Sequence, residues 1–118
     1  MSPKRGDRAA PPPGSGEWDV RFANGDAAKG WDELCAQAPT NTRSAWQLMR
    51  TDPAPATRTE RHHRLKGELA HGTHRGQTLD RWQIEVTAGG RIWYLVDPDR
   101  RTIWIDRAST RHPRQTDR

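Results

Sequence analysis

An α+β fold, with a helical hairpin packed on a small antiparallel sheet, is what three features of the sequence predict. Apolar residues alternate with polar ones near residue 20, recur at steps of three and four through the segment that follows, and return to alternation across residues 81–107. The chain has 118 residues, enough for one small domain. With 31% hydrophobic and 30% charged residues, the core must be small and the surface strongly ionic.

Trp18, Val20 and Phe22 alternate with Asp19, Arg21 and Ala23, the period of a half-buried strand. Asn24, Gly25 and Asp26 then make a turn, with Asp26 placed to cap a helix that carries Ala27, Trp31, Leu34 and Ala38 at helical spacing. Pro39 stops that helix. Thr40 or Asn41 can cap a second one, in which Ala45, Leu48 and Met49 share a face until Asp52 before Pro53 is pushed out of the helical region. From Ala54 to Gln77 there is little periodicity beyond a short strand around Leu65, so this stretch reads as a cationic loop. Trp82, Ile84 and Val86 then alternate with Arg81, Gln83 and Glu85, and Gly89-Gly90 reads as a two-residue hairpin turn. Ile92, Tyr94 and Val96, with Trp93 and Leu95 opposite, mark a central strand buried on both faces. Asp97-Pro98-Asp99-Arg100 is a second tight turn, and Ile103 and Ile105 flank Trp104 in a last strand ending near Arg107. The order strand, two helices, three-strand meander lets the helices cover one face of a four-stranded sheet and leaves the other face open. Residues 1–16, with Lys4, Arg5, Arg8 and Pro11, Pro12 and Pro13, have the composition of a disordered basic tail.

Composition also limits function. No apolar run is long enough to span a membrane and no secretory signal pattern opens the chain, so a cytoplasmic protein is expected. With Cys35 as the single cysteine, a disulfide framework or thiolate zinc site cannot form within one chain. His62, His63, His71 and His74 lie close in sequence but lack a helix to set ligand spacing, so they read as solvated loop histidines; neither a metal nor a cofactor is expected. The net charge is +5, and all basic residues but Lys4, Lys29 and Lys66 are arginines. A guanidinium binds phosphate bidentately, which points to a polyanionic partner; the plainer alternative is a solvated ionic surface.

Arg81-Trp82-Gln83-Ile84-Glu85-Val86, Gly89-Gly90-Arg91-Ile92-Trp93-Tyr94-Leu95-Val96-Asp97 and Arg101-Thr102-Ile103-Trp104-Ile105 together resemble the meander of the RelE/ParE superfamily of type II toxins. Leu65-Lys66-Gly67-Glu68-Leu69 is similar to the approach to that meander, and Thr110-Arg111-His112-Pro113-Arg114 to a C-terminal ending in some branches; the likeness covers residues 17–116. The resemblance implies a toxin domain over residues 17–116, held inactive by a cognate antitoxin protein. In the RelE branch it implies an endoribonuclease that cuts mRNA, on the ribosome or free, by metal-independent acid/base chemistry; in the ParE branch, a noncatalytic inhibitor of DNA gyrase. An inactive domain of the same fold is the remaining alternative.

Carried over by position, Arg91 is the arginine expected at the scissile phosphate, where a guanidinium stabilises charge growing on the nonbridging oxygens. Its hairpin position suggests an exposed side chain whose loss costs little stability. Arg107 and His112, at and beyond the end of the last strand, complete the expected catalytic set, with His112 as a proton carrier and Glu60, His62 or His63 as its complement. Arg64, Lys66 and Arg81 are the expected RNA-binding residues. Many ribosome-dependent relatives carry a tyrosine near the C-terminus, whereas the one tyrosine here is Tyr94, a departure that favours the noncatalytic alternatives.

Overall fold

The computed structural model describes residues 3–9 and 11–111. Its elements are β1 (Asp19–Phe22), α1 (Gly25–Gln37), α2 (Pro39–Thr51), β2 (His62–Arg64), a one-turn 3-10 helix (Gly67–Ala70), β3 (His71–His74), β4 (Gln77–Glu85), β5 (Arg91–Asp97) and β6 (Thr102–Ser109). The expected α+β class holds, with a larger sheet of order β1-β6-β5-β4-β2 and with β3 also paired to β4. β1 runs parallel to β6 and every other named pairing is antiparallel.

Local chemistry explains the helices. Asn24, rather than Asp26, caps α1: its side chain accepts a hydrogen bond from the Ala27 N–H at 2.7 Å while Asp26 sits in the first turn. Pro39 ends α1 and also begins α2 in the first-turn position where its missing N–H costs nothing. The residue before it, Ala38, occupies the cap without a side-chain bond, so neither Thr40 nor Asn41 serves. Thr42 is instead buried, its hydroxyl donating to the Leu34 carbonyl at 3.1 Å and joining the two helices.

Both helices lie on one face of the sheet. Ala27, Ala28, Trp31 and Leu34 from α1 and Ala45 and Met49 from α2 pack on Val20, Phe22, Ile84, Ile92, Tyr94, Ile103 and Ile105. Gly30 sets how closely α1 approaches β6, since a Cβ there would fall 1.8 Å from the Ala108 carbonyl oxygen. Beneath this core Tyr94 donates its hydroxyl proton to the Pro53 carbonyl at 2.5 Å. The phenol has one proton, so its oxygen can only accept from His62 Nε2 at 2.6 Å, and the imidazole carries its proton on Nε2.

The stretch expected as a cationic loop holds two short strands and the 3-10 turn. Their pairing is dictated by β4, which extends to Gln77 and offers its outer edge first to β3 and then to β2; strands this short carry no periodicity of their own. The β3–β4 hairpin curls over the face opposite the helices. His74 stacks on Trp104 with ring centroids 4.2 Å apart, and Ala23, Leu79, Leu95 and Trp104 form a second small core there. The face expected to be open is therefore partly covered. The Gly89-Gly90 turn also differs: β4 and β5 are joined by residues 86–90, with Val86 N–H donating to Gly90 O at 2.9 Å, and neither glycine has a positive φ. At the N-terminus, residues expected to be disordered lie along β1. Gly6 and Ala9 donate to the Phe22 and Val20 carbonyls, and Phe22 N–H donates to Asp7 O. The free edge of β1 leaves backbone groups that need partners, a demand composition does not register.

Two expectations follow. Gly30→Ala should cost about 3 kcal/mol or more, because backbone rather than a flexible side chain blocks the new methyl; denaturant titration would show it, and an unchanged midpoint would mean that the helix can retreat. Burial lowers the His62 pKa below its ordinary 6.5. Between the lowered value and 6.5 the unfolded chain binds more protons, so this contribution is intact above about pH 6.5 and is lost as pH falls below it. Stability measured at pH 7.5 and 5.5 should drop less in His62→Gln than in the parent chain.

Candidate functional site

The sheet face away from the helices carries most of the residues singled out by sequence. β4 contributes Arg81, Gln83 and Glu85, β5 contributes Arg91, Trp93 and Leu95, and β6 contributes Trp104 and Arg107, by the registers Arg81↔Leu95, Gln83↔Trp93, Glu85↔Arg91, Leu95↔Trp104 and Trp93↔Arg107. The β5–β6 ladder slips at Trp93/Tyr94, where Tyr94 pairs with Ile105 and Asp106 becomes the extra residue. This bulge turns consecutive residues toward one side. The Asp106 carboxylate reaches Arg81, and the Arg107 guanidinium lies 5.3 Å over the Trp93 ring.

A cleft of about 400 Å³ results, walled by Arg81, Trp93, Asp106, Arg107, Asn24 and Asp26. The start of α1 forms one side, tied to the bulge by Asn24 Nδ2 donating to the Asp106 carbonyl at 3.1 Å. Asp106 Oδ2 accepts from Arg81 Nε at 3.0 Å and lies 2.8 Å from Nη2, while Oδ1 is shut from solvent with no partner among the described residues. Burial pushes the Asp106 carboxyl above its ordinary range, against the downward pull of Arg81. Trp93 Nε1 donates to Gln83 Oε1 at 2.7 Å, orienting the amide so that its nitrogen faces His63 Nε2 at 3.4 Å. His63 Nδ1 in turn donates to the Arg64 carbonyl at 3.0 Å.

The predicted residues separate into three groups. Arg107 alone of the named arginines opens on the cleft without an ion pair among the described residues. Arg81 lines the cleft, yet its donors are occupied by Asp106 and by the Leu69 and His71 carbonyls, where a role in gripping RNA was expected. Arg64 is likewise occupied, by Asp80, His71 and the Ala70 carbonyl at the β2 edge, three strands from β6 or roughly 14 Å at ordinary strand spacing. Lys66 is exposed just before the 3-10 turn. His112 lies outside the described residues.

Arg91 departs furthest from expectation. It is 6% exposed, and Nη1 donates to the Thr87, Ala88 and Gly90 carbonyls at 2.9, 3.2 and 3.1 Å, while Nη2 lies 3.6 Å from Glu85. Loop 86–90 turns its carbonyls inward, and a buried cation is what they need. Arg91 is thus the clasp of its own hairpin, not a solvent-facing phosphate ligand. Of the proposed proton carriers, His62 is sealed against Tyr94 and His63 is engaged as above, whereas Glu60 is exposed. Asp106 was missed although alternation with Trp104 puts it on this face; the bulge is what brings Arg107 alongside it. All six tryptophans are buried or half-buried, as packing residues should be.

Arg91→Ala should therefore lower stability by about 2 kcal/mol, because the loop carbonyls lose their donor, with Arg91→Lys only a partial rescue since an ammonium cannot span them. Urea titration of the three proteins checks this; equal midpoints would mean that the clasp contributes nothing. No family model, curated protein or solved structure matches the chain.

Proposed function

We propose that the chain is the toxin of a type II toxin–antitoxin pair, of RelE type, acting on messenger RNA through the cleft around Arg107. Support comes from the order of elements, a strand, two helices and an antiparallel meander, which agrees with what the sequence resemblance implies. The observation that carries the reading is the bulge. It sets the Arg107 guanidinium, without a carboxylate of its own among the described residues, beside two carboxyls, Asp106 and Asp26, at the N-terminal end of a thirteen-residue helix.

That arrangement fits cleavage of a phosphodiester. Attack by a ribose 2′-hydroxyl raises negative charge on the nonbridging oxygens, which Arg107 and the positive end of α1 stabilise more in the transition state than in the ground state. Trp93 and Arg81 hold the site: the ring supports Arg107, and Arg81 fixes the Asp106 carboxylate. Two protons must move. Asp26 is an exposed carboxyl on the cleft able to accept the 2′-hydroxyl proton, and solvent supplies the proton to the leaving 5′-oxygen, since Asp106 is held as a carboxylate by Arg81. The reading places the protein in the cytoplasm, with an antitoxin covering the cleft when the toxin is silent.

One observation favours the second reading, a noncatalytic ParE-like toxin directed at DNA gyrase: Arg91, expected to meet the phosphate, is committed to its own hairpin. Expression without a partner separates the two. The nuclease reading expects growth arrest with new 5′ ends inside coding regions by primer extension. Arg107→Ala should remove both, with a loss of about 100-fold or more in cleavage and near-native melting. Arrest with intact messages and blocked supercoiling would move the assignment to gyrase, and normal growth would count against both.

A further inference from the structure

A second cavity, of about 510 Å³, opens between the N-terminal segment and the tip of the β3–β4 hairpin, on the same sheet face as the Arg107 cleft but over Trp104. Its walls carry Arg5, His74 and Arg75, with Trp104 and Phe22 beneath. The two arginines come from opposite sides and each is delivered by a specific backbone turn. Arg5 sits in a turn closed by Asp7 N–H donating to Lys4 O at 3.0 Å, with Gly6 at φ +86°, and Arg21 donates to the Gly6 carbonyl at 2.8 Å to hold the turn in place. Arg75 occupies the first of two turn positions with positive φ, at +52°, followed by Gly76 at +78°.

Arg75 is the informative residue. A two-residue hairpin of this kind favours asparagine, aspartate or glycine at its first position, and a long side chain there is strained. Strain kept in a surface turn, where a substitution would relieve it, signals that the side chain is used. Its guanidinium lies 5.1 Å over the Trp104 ring. The neighbouring His74 imidazole stacks on the same ring, with Nε2 shut from solvent and without a hydrogen-bond partner among the described residues. The charged groups acting on that imidazole are Arg5, Arg75 and Arg100 against the single carboxylate of Asp97, which is already shared with Arg100 and Trp104 Nε1. A concave pocket with two guanidinium groups on its walls and no carboxylate among its lining residues is suited to an anion with hydrogen-bonding oxygens.

We propose that this pocket is a phosphate subsite, in which Arg5 and Arg75 hold a backbone phosphate of a single nucleic-acid strand whose course continues toward the Arg107 cleft. The inference rests on the nucleic-acid reading above and adds to it a second contact, on the far side of Trp104 from the chemistry. Trp104 is 3% exposed, so it serves as the floor under the guanidinium and not as a stacking platform for a base.

The test uses the whole chain and a short 2′-deoxy oligonucleotide, which has no 2′-hydroxyl and so reports binding without cleavage. Wild type should bind it with chemical-shift changes at the His74 ring and Trp104 indole. Arg75→Gly should weaken binding about tenfold and reduce the slope of log K against log salt by about one, while leaving Tm unchanged or higher because the turn is relieved. Arg5→Gln should weaken binding in the same direction. Unaltered affinity in Arg75→Gly, or a Tm that falls by several degrees, would overturn the proposal and make Arg75 a packing lid on Trp104. Saturation of these shifts by inorganic phosphate with none from the oligonucleotide would also overturn it, leaving a site for a free anion. Oligonucleotide binding that depends on Arg75, in a chain that cuts no message, would uphold this subsite while refuting the nuclease reading.

Discussion

Everything else in this structure follows from one requirement: β5 is buried along its whole length and on both faces. All seven residues from Arg91 to Asp97 are enclosed, including a charged residue at each end. A strand so placed needs two covers. The helical hairpin supplies one through Ile92, Tyr94 and Val96, and the curled β3–β4 hairpin supplies the other through Leu95 and its neighbours Leu79 and Trp104. It also needs its terminal charges satisfied within the protein, because an isolated buried ion is expensive. Arg91 is met by the carbonyls of loop 86–90 and by Glu85, and Asp97 by Arg100 and the Trp104 indole.

The same economy governs several other arginines. Arg8 and Arg21 share Asp19, Arg50 pairs with Glu17, Arg64 with Asp80 and Arg81 with Asp106. Arginine is suited to this work because its fork reaches several acceptors at once, carboxylate and carbonyl together, as Arg81 does in tying the 3-10 turn and β3 to the meander. Seven arginines are neutralised in this way among the described residues, and of those without a carboxylate four rest on indole rings: Arg107 on Trp93, Arg75 on Trp104, Arg58 on Trp82 and Arg101 on Trp18. Each ring removes water from one side of its cation and fixes its position without neutralising it.

The bulge in β6 joins the fold to the proposed chemistry. Without the extra residue, Asp106 and Arg107 would point to opposite faces and Arg107 would be driven into the helical core. With it, the carboxyl and the guanidinium share one cleft, and the backbone left unpaired by the irregularity is taken up by Asn24, the cap of α1. The first helix is thus fixed at its start by β6 and along its length by the close approach at Gly30.

Legible along the chain were the α+β class, the helical hairpin with its break at Pro39, the alternating meander and the double-sided burial of its middle strand, because periodicity and proline act locally and leave a local trace. Pairing at a distance leaves no such trace. β2 and β3 exist because β4 has an edge to fill, residues 4–9 lie along β1 for the same reason, and neither strand nor segment has an apolar period to announce it. Arg91 illustrates the limit most clearly: its place after the hairpin was legible, but whether its guanidinium faced solvent or its own loop depended on the length of that loop and the direction of three carbonyls. Charge can be counted along a chain, whereas its availability is fixed by which carboxylates and carbonyls the fold brings within hydrogen-bonding reach.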